Sequence, residues 1–243
     1  TSDRIAVKHH RYEQVRFDEF VWALADLSLS PFPSRTLPPP ETAPGPAPYP
    51  SDAVTLRGLF THLNTLLDGK TLVIADVGEA LFAGADLRVH RRFEFIAPAY
   101  YTSMGFAVPA AVGVGFADPS LWPIVLVGDG AFQMTGSELA TCVRHKLAPI
   151  VIVLNNRGYS TEREIMEGPF NDIPEWRYEQ ICDLVGGGHG YRVQTHGELT
   201  QALAAALADR SQAHVLNVLL NPSDRSPAMV RLAKRLAKRL SGK

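Results

Sequence analysis

In the stretch GDGAFQMTGSELATCVRHKLAPIVIVLNN, an acid in a glycine turn is separated from a pair of asparagines by the 24 residues Ala131 to Leu154. Asp129 offers hard carboxylate oxygens and Asn156 a neutral amide oxygen, the donor set expected for Mg²⁺ or Ca²⁺ shared with water and phosphate. Gly128 and Gly130 let backbone pass close to a ligand, and amides at the start of a following helix favour an anion. Taken alone, GDG is as well explained by a turn that ends a strand.

For the two halves to meet, the interval between them must return the chain to the edge it left. A helix from Thr135 to Lys146 descends about 18 Å at 1.5 Å per residue. A strand from Ile150 to Leu154 climbs back about 17 Å at 3.3 Å per residue. In a right-handed parallel crossover both turns then lie at carboxyl ends of strands, where open α/β sheets bind ligands.

The surrounding elements support such a sheet. PIVLV and PIVIVL are almost purely apolar, as strands buried on both faces are. A helix over 55–67, strands over 71–76 and 123–127 and helix-like 105–116 alternate along the chain. Tyr191–Val193, a helix over 198–209 and a strand over 214–220 repeat the unit. The expectation is a doubly wound, parallel α/β sheet with helices on both faces, a three-layer α/β/α fold, over residues 53–228. Ahead of it, Ser28 to Asp52 holds nine of the chain's eighteen prolines and reads as a stiff linker. Residues 1–27 contain a short β-like run at Ile5–Val7 and helically spaced Phe17, Phe20, Val21 and Leu24, too little to bury a core alone.

Composition narrows the classes. The 243 residues are 46% hydrophobic, enough for a full core, and the formal net charge of -1 supplies no bulk attraction to nucleic acid. No apolar run reaches the length of a membrane span and no signal-peptide pattern opens the chain, so the expectation is a cytoplasmic protein with no membrane partner. Cys142 and Cys182 are not close-spaced, which fits free thiols. The segment MVRLAKRLAKRL sets Val230, Ala233, Ala237 and Leu240 at helical intervals among Arg231, Lys234, Arg235, Lys238 and Arg239. A solvated helical tail over 229–243 on an acidic body is favoured over a membrane-surface helix, because half of that apolar set is alanine.

The GDG turn, its 24-residue interval and the asparagine pair resemble the metal and diphosphate signature of thiamine diphosphate enzymes. The continuation NNRGYSTEREIMEGPFNDIPEW resembles the pyruvate, indolepyruvate and phenylpyruvate decarboxylase branch, and HHRYEQV is similar to the end of that family's middle domain. The resemblance implies that Asp129, Asn156 and the carbonyl of Gly158 hold Mg²⁺, and that the amides of Gly130 and Ala131 meet the diphosphate. It also puts Gly78, Thr102, Ser103, Gly128, Tyr159, Ser160 and Thr161 around the cofactor, with Met104 as an apolar wedge beneath it. Glu162 falls where the family has an acid near the substrate carboxylate. A carboxyl group in a desolvated pocket can stay protonated, and general acid work is worth about 10²–10⁴-fold in rate. Glu164 and Glu167 read as solvated acids.

One position departs from the pattern: Glu79 stands where many members have a small hydroxyl residue, and its charge would repel a diphosphate unless it turned away or met a cation. The acid and histidine pair that activate the cofactor in this family lie on another domain, and His9-His10 precedes the linker, outside that context. The resemblance therefore implies a cofactor-binding portion of a lyase that turns a 2-oxo acid, aromatic or bulky, into an aldehyde and carbon dioxide. It would be inactive without a complementary pyrimidine-binding domain or subunit and would work as a homo- or hetero-oligomer. Alternatives are a carboligase of the acetolactate synthase type, which GYSTERE argues against, and a non-catalytic thiamine diphosphate-binding subunit.

Overall fold

The computed structural model describes residues 3–28, 48–90 and 93–240. The chain divides into two compact units, Thr1–Glu41 and Thr42–Lys243. Most of the proline-rich segment, residues 29–47, lies outside the described residues.

In the first unit, β1 (Arg4–Val7) and β2 (His10–Glu13) pair as an antiparallel hairpin, followed by α1 (Phe17–Ala25). The hairpin was not legible, because β2 is HRYE with no apolar alternation. No residue of α1 is buried. The rings of His9 and His10 lie 4.0 Å apart, tilted by 42°, on the exposed hairpin.

The second unit is a six-stranded, all-parallel sheet with strand order β4-β3-β5-β6-β8-β7. Its strands are β3 (Thr71–Ala75), β4 (Phe95–Ile96), β5 (Trp122–Gly128), β6 (Ile150–Asn155), β7 (His189–Val193) and β8 (His214–Leu219). Its helices are α2 (Leu56–Leu66), α3 (Glu79–Gly84), α4 (Ala107–Ala117), α5 (Asp129–Thr135), α6 (Leu139–His145), α7 (Ser160–Arg163), α8 (Ile181–Val185), α9 (His196–Ala208) and α10 (Pro227–Leu240).

Side chains alternate between two cores, as strand geometry requires. Val73, Ile124, Ile152 and Leu216 face one way and bury Leu59 of α2, Ala83 of α3 and Leu203 of α9. Ile74, Val125, Val151 and Val215 face the other way and bury Val108 of α4, Phe132 of α5, Leu139 of α6 and Cys182 of α8. The three layers expected from the apolar strands are therefore present. Local signals begin the helices: Thr55 Oγ1 accepts the N–H of Gly58 ahead of α2, and Thr195 with Glu198 forms a reciprocal cap on α9, devices worth about 1 kcal/mol each.

The crossover from β5 to β6 differs from the single helix expected. α5 begins at Asp129, directly off the strand, and a 3-10 turn at Gly136–Glu138 separates it from α6. The break has a tertiary cause: Thr135 donates its hydroxyl to the carbonyl of Gly105 at 2.9 Å, pulling the chain toward α4. Both cysteines are free and buried. The tail is helical as far as Leu240, and its start packs inward through buried Met229, while Arg231 pairs with Asp86 at 2.8 Å; residues 241–243 and the side chains of 235–240 lie outside the description. Among the described residues no helix is long and apolar enough to cross a membrane.

Candidate cofactor site

From β3 the chain runs to β4 on one side and then to β5 on the other, so the sheet's direction of winding switches at β3 and β5. The carboxyl ends of β3, β5 and β6 converge there on a cleft of about 240 Å³. Its walls are the turn Val77–Phe82, the pair Thr102 and Met104, the Gly128–Ala131 turn and the run Asn156 and Gly158–Glu162. Every site residue expected from the sequence lines it except Ser103, which is exposed to one side.

Asp129 is almost fully buried at the first turn of α5. Its Oδ1 accepts the N–H of Gly130 at 2.7 Å and its Oδ2 the N–H of Gly158 at 3.1 Å. Burial pushes its pKa up to about 6 in spite of these bonds, which favour the ionised form. Asn156, the first residue after β6, is buried and its Oδ1 has no hydrogen-bond partner. An orphaned buried acceptor costs about 1–3 kcal/mol, so this oxygen is held ready for something.

The loop after β6 is built to bring that oxygen there. Gly158 has φ 143, and a Cβ on it would stand 2.0 Å from the carbonyl of Asn171, so no other residue fits this turn. The carbonyl of Asn171 in turn accepts the N–H of Tyr159 at 2.9 Å. Gly130 is explained differently from the sequence expectation: a Cβ there would lie 2.5 Å from the ring of Tyr159, so the glycine admits a neighbour of the chain itself. At Gly128 nothing lies within 4 Å of a built Cβ, which leaves the floor of the cleft open.

Met104 is half-buried and packs against the second core, so it is at once a core methionine and a wall of the cleft. Glu162, in the short α7, lies at the cleft with its residue surface exposed. The desolvation expected for it is not provided by the described residues. Glu164 is exposed, as expected of a solvated acid, and its Oε1 also accepts from Arg225 Nε at 2.7 Å. Glu167 is exposed as expected too, and pairs with Arg163 at 2.7 Å.

Glu79 is buried and turned toward the carboxyl-terminal segment, where Ser226 donates its N–H to both carboxylate oxygens at 3.3 and 3.4 Å. Burial pushes its pKa up, against hydrogen bonds from Ser226 and the nearby Arg225. The repulsion anticipated for a diphosphate is thereby reduced. Asp76, not among the residues expected, is fully buried: Oδ1 accepts the N–H groups of Val77 and Gly105, and Oδ2 that of Ala107. It ties the Thr102–Met104 turn to the end of β3. The signal was an acid at a strand end, which sequence alone does not separate from a capping turn.

Among the described residues no group of three or more His, Cys, Asp or Glu could hold a metal. One carboxylate with amide and carbonyl oxygens is an incomplete shell, of the kind Mg²⁺ completes with phosphate oxygens and water. The donor chemistry, the orphaned Asn156 oxygen and the open floor at Gly128 fit a cation carrying a diphosphate.

Fold and cleft together define an open-sheet α/β domain with its ligand cleft at a topological switch point. Comparison with known proteins gives the family. Residues 76–218 match the model of the thiamine pyrophosphate enzyme, C-terminal TPP binding domain. The chain is 31% identical over 202 residues to the probable pyruvate decarboxylase Pdc101 of Schizosaccharomyces pombe, covering 82% of this chain and 36% of that protein. It is 35% identical over 187 residues to the alpha-keto-acid decarboxylase of Mycolicibacterium paratuberculosis, covering 75% and 33%. With that of Mycobacterium leprae it shares 34% over 195 residues, covering 77% and 34%. The chain belongs to the thiamine pyrophosphate enzyme family, as its C-terminal cofactor-binding domain, in the 2-oxo acid decarboxylase group. It spans about a third of the length of the curated relatives it matches.

Proposed function

We propose that this chain is the diphosphate- and Mg²⁺-binding portion of a decarboxylase that converts an aromatic or bulky 2-oxo acid to an aldehyde and carbon dioxide. The observation that carries the reading is the convergence of the buried Asp129 carboxylate and the unpartnered Asn156 Oδ1 on one cleft, with Glu162 beside them. Asp129, Asn156 and the Gly158 carbonyl would hold the cation, and the amides of Gly130 and Ala131 the diphosphate. Thr102, Ser103 and Met104 would meet the pyrimidine side of thiamine diphosphate, with Gly78, Gly128, Tyr159, Ser160 and Thr161 enclosing the rest. When bound, the cofactor supplies an electron sink for loss of carbon dioxide.

The protein's own contribution is positioning and proton management. Asp129 and Asn156 fix the charge of the diphosphate at the sheet edge. Met104 fills the space beneath the cofactor, and Glu162 gives or takes a proton beside the substrate carbon. Its exposure in this chain supports the view that a complementary pyrimidine-binding domain or subunit covers the cleft and excludes water there. The domain organisation that goes with this reading is a remnant over 1–27, a linker over 28–52, the cofactor domain over 53–228 and a helical tail over 229–243.

The test is calorimetric. Thiamine diphosphate with Mg²⁺ is titrated into the chain alone and into a mixture with a candidate pyrimidine-binding domain, and the mixture is assayed for aldehyde from phenylpyruvate and indolepyruvate. Binding with aldehyde release supports the enzyme. Binding with no release by any mixture favours the non-catalytic subunit, and absence of binding removes the reading.

A further inference from the structure

Three consecutive residues after β8 hold three different elements. Asp224 Oδ2 accepts the N–H of Leu56 at 2.6 Å, at the first residue of α2. Arg225 Nε donates to Glu164 Oε1 at 2.7 Å, at the residue that ends α7. Ser226 is fully buried and gives its N–H to the carboxylate of Glu79, the first residue of α3. The bracket is stiff: Arg225 Nη1 also donates to the carbonyls of Pro222 and Asp224 at 2.6 and 3.0 Å, and Ser226 Oγ accepts the N–H of Met229 at 3.1 Å to begin α10.

Two of these elements, α3 and α7, wall the candidate cofactor cleft. They approach closely, since a Cβ built on Gly78 at the entry to α3 lies 3.4 Å from Thr161 Oγ1 in α7. α7 is only four residues long and has little packing of its own. Its orientation therefore depends on what grips its ends. The Arg225–Glu164 pair is partly shielded, with side chains 15% and 36% exposed, so it is less diluted by solvent than a surface pair.

We propose that Asp224–Ser226 is a clamp that sets the separation of α3 and α7, with Arg225 and Glu79 as positioning residues for the cleft between them. What the cleft holds rests on the proposed function above; the clamp itself rests on this geometry. The clamp keeps the Gly78 turn and the Ser160–Glu162 turn at one spacing, so the cofactor meets a preformed site, and it gives the carboxyl-terminal segment a direct hold on the turn that carries Glu162.

The test reads the two claims separately on the 243-residue chain. Without added cofactor, amide hydrogen exchange is followed at residues 163–166, whose N–H groups bond within and just after α7. Arg225→Ala and Glu164→Gln are each expected to speed that exchange about tenfold while β5 and β6 stay protected, the signature of local opening. The double variant should exchange no faster than Arg225→Ala alone, because that change already removes the bond to Glu164 together with the bonds to the Pro222 and Asp224 carbonyls. Arg225→Lys, which keeps the charge and loses the fork, serves as the second variant if the alanine form unfolds throughout, and should exchange at an intermediate rate. In calorimetry with thiamine diphosphate and Mg²⁺, each single variant should weaken binding about 10–100-fold, as supporting residues of a ligand shell do. Unchanged exchange at α7 in Arg225→Lys, or additive effects in the double variant, would overturn the clamp. If the unaltered chain binds no thiamine diphosphate, the cofactor reading falls while the exchange measurement still decides the clamp.

Discussion

The carboxylate of Asp129 accepts the backbone N–H of Gly158 at 3.1 Å, so the first turn after β5 is bonded directly to the loop after β6. This bond joins the two halves of the candidate metal site before any ligand arrives. The carboxylate is buried, and the Oδ1 of Asn156, which lines the same cleft, has no hydrogen-bond partner.

Loss of that carboxylate should abolish the cation site. Asp129→Ala is expected to weaken thiamine diphosphate binding in the presence of Mg²⁺ by more than the ~10–100-fold typical of residues that only support a ligand. Calorimetry checks this, and unchanged affinity would show that the metal lies elsewhere.

The same carboxylate sets a pH dependence. Its folded pKa is raised to about 6, above the ordinary 3.8, so the folded state holds the proton more tightly than the unfolded state. Its contribution to stability is therefore fully present below about pH 4 and is lost as pH rises through 6, amounting to about 3 kcal/mol at 1.4 kcal/mol per unit. Urea denaturation of the cofactor-free chain between pH 4.5 and 7 should show this downward slope. Asp129→Asn should flatten it, and saturating Mg²⁺ with thiamine diphosphate should oppose it by favouring the ionised form.

Glu162→Gln should separate binding from chemistry. Cofactor affinity of the chain should stay within error, while aldehyde release by the assembled enzyme falls about 10²–10⁴-fold, the range for a lost general acid. Parallel calorimetry and a coupled aldehyde assay measure the two. A loss of affinity matching the loss of rate would make Glu162 a binding residue.

Gly158→Ala should fail structurally. The added methyl would meet the Asn171 carbonyl at 2.0 Å in a backbone conformation that favours glycine. Strain of this kind costs about 1–3 kcal/mol and should lower the denaturation midpoint. It should also displace the Gly158 N–H from Asp129, so cofactor affinity falls too.

Asp76→Ala should act at a distance from the diphosphate. It leaves the N–H groups of Gly105 and Ala107 without their acceptor, each worth about 1–3 kcal/mol when orphaned. The Thr102–Met104 turn should loosen, seen as faster amide exchange there with β6 unaffected.

Much of this was readable from the chain. The apolar runs at 123–127 and 150–154 announced buried parallel strands, because burial on both faces leaves no polar positions. Asp129 and Asn156 could be paired because a helix and a strand of matched rise bring the chain back to one edge, even though the helix proved to be two segments. The break at Gly136 was not readable, since it follows from Thr135 reaching the Gly105 carbonyl across the unit.

Periodicity, strand composition and turn residues are local properties, and they were enough for a parallel sheet in three layers and for pairing Asp129 with Asn156 at its edge, while the other expected site residues came from the family resemblance. Packing alone decided the rest. Glu79 turns to Ser226 across 147 residues, Asn155 donates to Asn217 across 62, and Arg225 grips Glu164 across 61. The reason is physical: a hydrogen bond between distant residues has no local signature, because its geometry exists only once the intervening elements have packed. Glu162 shows the same dependence in reverse, since its type and register are local while its exposure at the rim is a property of the folded surface.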